Sequence, residues 1–398
     1  MTRTEARKAR LALAAMFAAN GALMGAWAPQ IPLLLPRHGI GETMLGLLIL
    51  ALGLGAVAAM LFSGRLIARH GSVPVLRVFV LAVLPVLPLV VLAPSLWTLT
   101  TAMVAFGAIA GSMDVAMNAN AVEVERRLGR AIMSSSHGFW SLGGFVGGTA
   151  GSWAIARFGP EAQALAVAAA MAATVLAALP WLRGEPPHPV QPERAPRGSV
   201  IPRDAGLWVL GALALFSMVP EGAVLDWAAL FLGKELMAGP FTAGLGFAFF
   251  SGAMAVMRFL GDGARNRFGA VRTLRGSGLL GAAGLMIAAA APHPHVALAG
   301  FALAGLGVAN MVPIMFSAAG NYPGHAAGTA ISTVTMVGYA GILIAPSSIG
   351  WLAEHIGYRP TYAALSVLLL VVAANAPRTA MADELRSVGA CDPMARRP

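Results

Sequence analysis

Four ionisable side chains stand where few are tolerated. Asp114, Glu221, Asp226 and Arg258 each fall within a long apolar run. Charge at such depth costs several kcal/mol or more, about 3 on insertion scales, and usually faces a cavity. A carboxyl in a dry cleft is costly when charged and tolerable when wetted, so it can take up a proton and release it again. Glu221 is the acid nearest the middle of its run and lies between Pro220 and Gly222. Proline removes a backbone donor and glycine loosens the next turn, so the helix is expected to bend or break there. Its functional reading is proton coupling, and the plainer alternative is a structural hydrogen bond or ion pair between helices. Asp226 follows five residues later, well off that face at about 100° per residue, and reads as a third proton-coupling candidate, a substrate contact or a contact at an outer gate. Asp114 shares a face with Asn118, four residues on. Carboxylate and amide together can bind a polyol hydroxyl or relay a proton, and a pair with an arginine of another domain explains the same charge. Arg258 and Asp262 are spaced as an i,i+4 ion pair at a helix end. His137 can relay protons near neutral pH or make a structural hydrogen bond.

Asn20, Gln30, Asn310 and Tyr339 add uncharged polar candidates for substrate binding. Trp140 and Trp227 can stack on a sugar ring, as can Trp27. Anchoring at the membrane interface competes with that reading for Trp27 and Trp227.

The elements that carry these residues follow from composition. The 398 residues are 58% hydrophobic and 11% charged, with a mean hydropathy of +0.74. A soluble fold usually has about 25% charged residues, so lipid is the expected solvent. Disorder is excluded more strongly still. The net charge of +10 suits cytoplasmic loops that orient membrane helices, and no nucleic-acid partner is expected. The one cysteine, Cys391, forbids an internal disulfide, and no Cys/His cluster has metal-ligand spacing. The basic start followed by an apolar run imitates a signal peptide, but the run continues too far for one.

A span needs about 20 mostly apolar residues. Twelve stretches qualify: 11–35, 43–64, 73–93, 96–121, 131–157, 161–182, 206–233, 240–262, 270–291, 294–317, 326–351 and 359–376. The fold class is an all-α integral membrane protein with twelve transmembrane helices in two pseudo-symmetric six-helix bundles. The expected division is 1–183 for the first bundle, 184–204 for a Pro- and charge-rich cytoplasmic linker, 205–377 for the second bundle and 378–398 for a cytoplasmic tail. With the N-terminus inside, all but Arg37, Arg157, Lys234 and Arg359 of the 27 Lys and Arg residues fall on the cytoplasmic side. Both termini are therefore expected in the cytoplasm. The halves also repeat. A shift of 198 positions superposes Arg69, Gly71, Gly107, Gly143 and Gly159 on Arg267, Gly269, Gly305, Gly341 and Gly357. In the first span a shift of 200 aligns Trp27-Ala28 with Trp227-Ala228. Parallel repeats place a cleft between the halves and let them rock about it.

The loop after the second span reads Gly64-Arg65-Leu66-Ile67-Ala68-Arg69-His70-Gly71, and its second copy runs from Arg258 through Asp262 and Arg267 to Gly269. This layout resembles the major facilitator superfamily, with Ala68 where the family usually has Asp. The resemblance implies that Gly64, Arg69, Gly71, Arg258, Asp262, Arg267 and Gly269 belong to inward-side gating loops, and that spans one, four, seven and ten line the cleft. Gly25-Ala26-Trp27-Ala28-Pro29-Gln30, Asp114-x-x-Met117-Asn118, Ser135-Ser136-His137-Gly138 and Glu221-Gly222-Ala223-x-x-Asp226-Trp227 are similar to a narrower group, the YbjJ-like and MosC-like transporters of bacterial inner membranes, neighbours of the fucose/hexose:proton symporters.

The expected function is secondary active transport of a small polar solute such as a sugar, driven by protons, in a monomer in the bacterial inner membrane. A proton-coupled efflux antiporter is the alternative, although the fifth span lacks the proline that follows its glycines in antiporters. A non-transporting sensor on the same fold would need a sizeable soluble domain. No Walker A sequence, nucleophile elbow or His-Glu-x-x-His is present, so no ATP drive, enzyme activity, metal or cofactor is expected.

Overall fold

The computed structural model describes residues 3–129, 132–184, 204–325 and 327–383. The expected linker lies almost wholly outside them, as do Cys391 and most of the expected tail. Among the described residues fifteen α-helices run in order: α1 (Arg3–Trp27), α2 (Ile31–His38), α3 (Glu42–His70), α4 (Ser72–Ala82), α5 (Val86–Val91), α6 (Leu96–Leu128), α7 (Met133–Phe158), α8 (Pro160–Ala178), α9 (Ala205–Lys234), α10 (Pro240–Phe268), α11 (Ala270–Ala290), α12 (Pro294–Val308), α13 (Met311–Gly320), α14 (Ala327–Ile356) and α15 (Tyr358–Ala374). A 3₁₀ segment, Ala376–Asp383, ends the described chain. No strand occurs among the described residues.

Several helices join into single spans. A 3₁₀ turn at Ala28–Gln30, with Pro29 inside it, links α1 to α2. The step from α4 to α5 falls at Pro85, and that from α12 to α13 at Ala309 and Asn310. Among the described residues, ten spans are long and apolar enough to cross a membrane. α15 and the 3₁₀ segment, bent by 50°, make an eleventh when taken together. α7 is 26 residues long but rich in serine and glycine, and is not among them.

Glycines set the packing, because membrane helices gain little by hiding apolar surface from lipid and rely on close contact. α1 and α7 meet backbone to backbone: a Cβ at Gly143 or Gly147 would lie 2.1 Å from the carbonyl oxygen of Ala18 or Ala22. The internal repeat appears in this packing. A Cβ at Gly107 would lie 1.8 Å from the oxygen of Leu52, and one at Gly305 would lie 2.1 Å from that of Phe250. Both pairs obey the same shift of 198. Gly71 and Gly269 end α3 and α10 at φ +85° and +80°, a region that side chains rarely adopt. The first bundle packs α1, α3 and α6–α8 together, and the second packs α9–α12, α14 and α15. Between the bundles α7 runs along α10 and α3 along α14.

At the face opposite the two chain ends, the bundles are pinned together. Glu42 at the start of α3 forms an ion pair with Lys234 at the end of α9. The backbone N–H of Thr43 donates to Glu354 Oε2 at 2.8 Å. Gly350 of α14 lies against the Glu42 carbonyl and the Trp227 ring, and Gly46 of α3 lies against the backbone of Pro346 and Ser347.

At the face carrying the chain ends, each bundle closes with a similar strap. Asn120 donates to the carbonyl of Arg183, and Arg127 to that of Gly184. In the second bundle Asn321 donates to the carbonyl of Met381, and Arg265 to that of Ala382. The accepting carbonyls again differ by 198 positions. Asp383 completes the second strap by accepting from the Ala270 N–H at 2.7 Å and facing Arg265. At the start of α9, Asp204 accepts from the Gly206 N–H and from Tyr322 Oη. The backbone bond, then the phenol, hold its carboxyl below the ordinary value.

Candidate functional site

A polar cluster draws side chains from both bundles to the middle of the molecule. Its centre is Arg258 of α10. The guanidinium Nη1 donates to Ser141 Oγ at 2.6 Å and approaches the carbonyl of His137 at 3.5 Å, both on α7. Nη2 faces Glu221 Oε1 of α9 at 3.6 Å, an ion pair longer than a hydrogen bond. The guanidinium carbon sits 5.9 Å from the centroid of the Trp140 ring, within cation–π range. The N-bundle thus holds an arginine of the C-bundle, which also pairs with its own bundle's glutamate.

Around this centre, His137 Nε2 lies 3.2 Å from Asn118 Oδ1. With the amide oxygen as acceptor, the ring proton sits on Nε2. The Asn118 amide nitrogen donates to the carbonyl of Asp114 one turn earlier, at 2.9 Å. Tyr339 of α14 is near enough to interact electrostatically with both Asp114 and Glu221. Asp114, Asn118, His137, Trp140, Glu221, Arg258 and Tyr339 are all only partly buried. Two carboxyls, one guanidinium, one imidazole and one phenol therefore meet where the bundles face each other. Such a group can bind hydroxyls and exchange protons, and it offers no set of three or more metal ligands among the described residues.

The other sequence candidates lie elsewhere or act differently. Asn20 is buried, and its amide is used internally: its oxygen accepts from Trp140 Nε1 at 2.8 Å and its nitrogen faces Met113 Sδ at 3.5 Å. Gln30 is buried between α2 and α8, donating to Gln163 Oε1 at 2.6 Å and to the Pro160 carbonyl at 2.9 Å. Trp227 is fully buried, tilted against Tyr358 with ring centroids 6.3 Å apart, so neither Gln30 nor Trp227 reaches the cluster. Asn310 sits in the break between α12 and α13 and packs on Gly261. Asp226 is 7% exposed, on the stretch of α9 that leads to the pinned face.

α9 continues as one helix through Pro220, with Val219 against Gly341 and the Ala223 carbonyl bonded to Tyr362 Oη on either side. Packing across the proline holds the helix despite the missing N–H. Arg258 reaches from its own helix to Glu221 and Ser141. The Asp262 side chain lies outside the described residues. Gly71 and Gly269 serve as helix ends of positive φ, a backbone need distinct from close passage between helices. Gly64 faces open space, and Arg69 and Arg267 are exposed at the chain-end face.

Ser141 is the residue that sequence reasoning missed. A serine in a glycine-rich span carries no signal of its own, because its role comes from an arginine 117 residues later.

The fold is two helical bundles with a polar cluster where they meet. The profile of the Major Facilitator Superfamily matches residues 11–231 and 224–384. The chain is 38% identical over 357 residues to an uncharacterized MFS-type transporter of Yersinia pestis, covering 89% of this chain and 91% of that one. It is 31% identical to the membrane protein MosC of Rhizobium meliloti, over 87% and 84% of the two chains. The crystal structure of a D-xylose–proton symporter superposes with a TM-score of 0.72 at 14% identity, over 94% of this chain and 98% of that one. At that identity the likeness concerns the fold alone. The chain belongs to the major facilitator superfamily, and its fold is that of a multi-pass membrane transporter.

Proposed function

We propose that the protein is a proton-coupled secondary transporter of a small polar solute, working by alternating access from a bacterial inner membrane. The observation that carries this reading is the Glu221–Arg258 pair, set between the bundles at 3.6 Å beside Ser141 and Trp140. A charged pair inside a membrane protein marks a substrate or ion pathway. Here the guanidinium makes a charged Glu221 tolerable. A proton arriving on Glu221 would cancel the pair while leaving Arg258 on α7. Asp114, Asn118, His137 and Tyr339 supply hydroxyl-binding and proton-relaying groups, and the Trp140 ring supplies a face for stacking. The pinned face then corresponds to a closed periplasmic side, and the chain ends lie in the cytoplasm, as the distribution of Lys and Arg favours. The sugar–proton symporter of like fold is consistent with such a substrate but shows none for this chain.

The test is uptake into proteoliposomes of a labelled panel of hexoses, pentoses, polyols and nucleosides. A proton gradient directed inward should drive accumulation of at least one compound above its outside concentration, and a protonophore should abolish it. Accumulation driven only by a gradient directed outward would favour the antiporter. Uptake that merely equilibrates, whatever the gradient, would reduce the protein to a facilitator.

A further inference from the structure

We infer that Ser141 is a positioning residue, with Asn20 acting through Trp140: together they fix the Arg258 guanidinium in a station built by the opposite bundle, so that Glu221 exchanges its proton against a stationary charge. This rests on the proton-coupled reading above. The geometry has two parts. The first is a double tie between α7 and α10. Ser141 accepts the guanidinium at 2.6 Å through its hydroxyl, and its backbone carbonyl accepts from Ser251 Oγ at 2.9 Å. Two turns earlier on the same face of α7, Ser134 Oγ donates to the Arg258 carbonyl at 3.1 Å. Arg258 is therefore held at its backbone and at its tip by one helix of the other bundle. The second part is the ring beneath the guanidinium. Trp140 has its indole N–H fixed by Asn20 of α1, whose own amide is backed by Met113 of α6. Three helices of the first bundle thus orient one aromatic face toward one arginine.

The distances rank the partners. A charge-assisted bond of 2.6 Å to Ser141 is closer than the 3.6 Å approach to Glu221, and only the former lies within hydrogen-bond range. When Glu221 becomes neutral, nothing releases Arg258 from α7. The charged and titratable groups around the pair are His137 from α7, beside Arg258, and Tyr339 from α14, near Glu221 and near Asp114 of α6. Without the Ser141 hydroxyl, the guanidinium loses its shortest bond and closes on Glu221, the charged one of its two remaining acceptors, the other being the His137 carbonyl. That stabilises the carboxylate, so a lower pH is needed to protonate it. A serine that merely filled space would leave this pH unchanged.

The experiment reads the protonated-carboxyl C=O band of the purified full-length protein by infrared difference spectroscopy across a pH titration. The Glu221 component is assigned by its loss in Glu221→Gln, and protons are the only probe. The band of the wild type should titrate. In Ser141→Ala its midpoint should fall by about half a pH unit, a threefold change in proton affinity. Asn20→Ala should move it in the same direction by less, and Ser141→Thr, which keeps the hydroxyl, should restore it. A midpoint unmoved or raised in both alanine variants, with a titrating wild type, overturns the positioning role alone. A Glu221 band that titrates nowhere between about pH 4 and pH 9 in the wild type overturns the proton-coupled reading, and this inference with it.

Discussion

Glu221 and Asp226 lie five residues apart on one helix, and their surroundings differ. Glu221 faces the guanidinium of Arg258, from the next helix of its own bundle. Asp226 is buried, and among the described residues its carboxyl has no hydrogen-bond partner. An uncompensated buried carboxylate is destabilising, and an amide in the same place costs less. Asp226→Asn should therefore raise the thermal unfolding midpoint in detergent by about 2 °C and leave proton-driven accumulation within about twofold of wild type, on the order of 0.4 kcal/mol. Loss of accumulation with a normal melting curve would return Asp226 to the coupling role. Residue types and span depth were enough to single out Asp114, Glu221 and Arg258 from the sequence, because charge in an apolar run is rare. Partners were not legible. An i,i+4 neighbour such as Asp262 is visible in a sequence, whereas Ser141 becomes visible only after two bundles are packed. Gln30 and Trp227 show the same limit: a polar or aromatic residue in a span does not declare whether it faces the cleft or another helix.

Element boundaries were legible where composition changes with the membrane. They fell short where helices continue beyond it. α3 runs to His70 and α6 to Leu128, past apolar stretches ending near 64 and 121, because charged residues suit a helix projecting into water as well as they suit a loop. The reverse holds for α7, whose serines and glycines dilute its hydropathy while its 26 residues pack tightly against α1 and α10. Proline marks helix breaks unevenly. It interrupts the chain at Pro29 and Pro85 but not at Pro220, and the step at Ala309 and Asn310 has no proline within it. The repeat was the most informative element-scale signal. Its offset reappears in the Gly107 and Gly305 contacts and in the carbonyls that the two straps bind.

For the whole molecule, the question is what holds one face shut. Glu42 and Thr43 of the first bundle meet Lys234 and Glu354 of the second there. Lys234 is half exposed and Glu42 nearly enclosed, so the pair has a buried partner to lose. Breaking it should raise the share of molecules open on that side. A reporter cysteine at Gly222, where an added Cβ meets no neighbour within 4 Å, in a Cys391→Ser background, is to be labelled by a membrane-impermeant maleimide added on the pinned side. Labelling should be about threefold faster in Glu42→Gln and Lys234→Gln, a shift of about 0.7 kcal/mol, and should return toward the parent rate in the Glu42→Lys/Lys234→Glu exchange. Equal rates in all four proteins would mean that packing of Gly46 and Gly350, and not charge, closes the face.

The central claim is that a proton on Glu221 links solute movement to the gradient, and Glu221→Gln tests it most directly. Glutamine keeps the shape and a hydrogen-bonding group but holds the site neutral, so the pair with Arg258 cannot form in either half of the cycle. With a solute from the uptake panel that the wild type concentrates, the variant should exchange labelled for unlabelled solute between equal pools at a rate near wild type, yet fail to accumulate it under an imposed pH gradient. Accumulation by Glu221→Gln at the wild-type level under the same gradient would contradict the account.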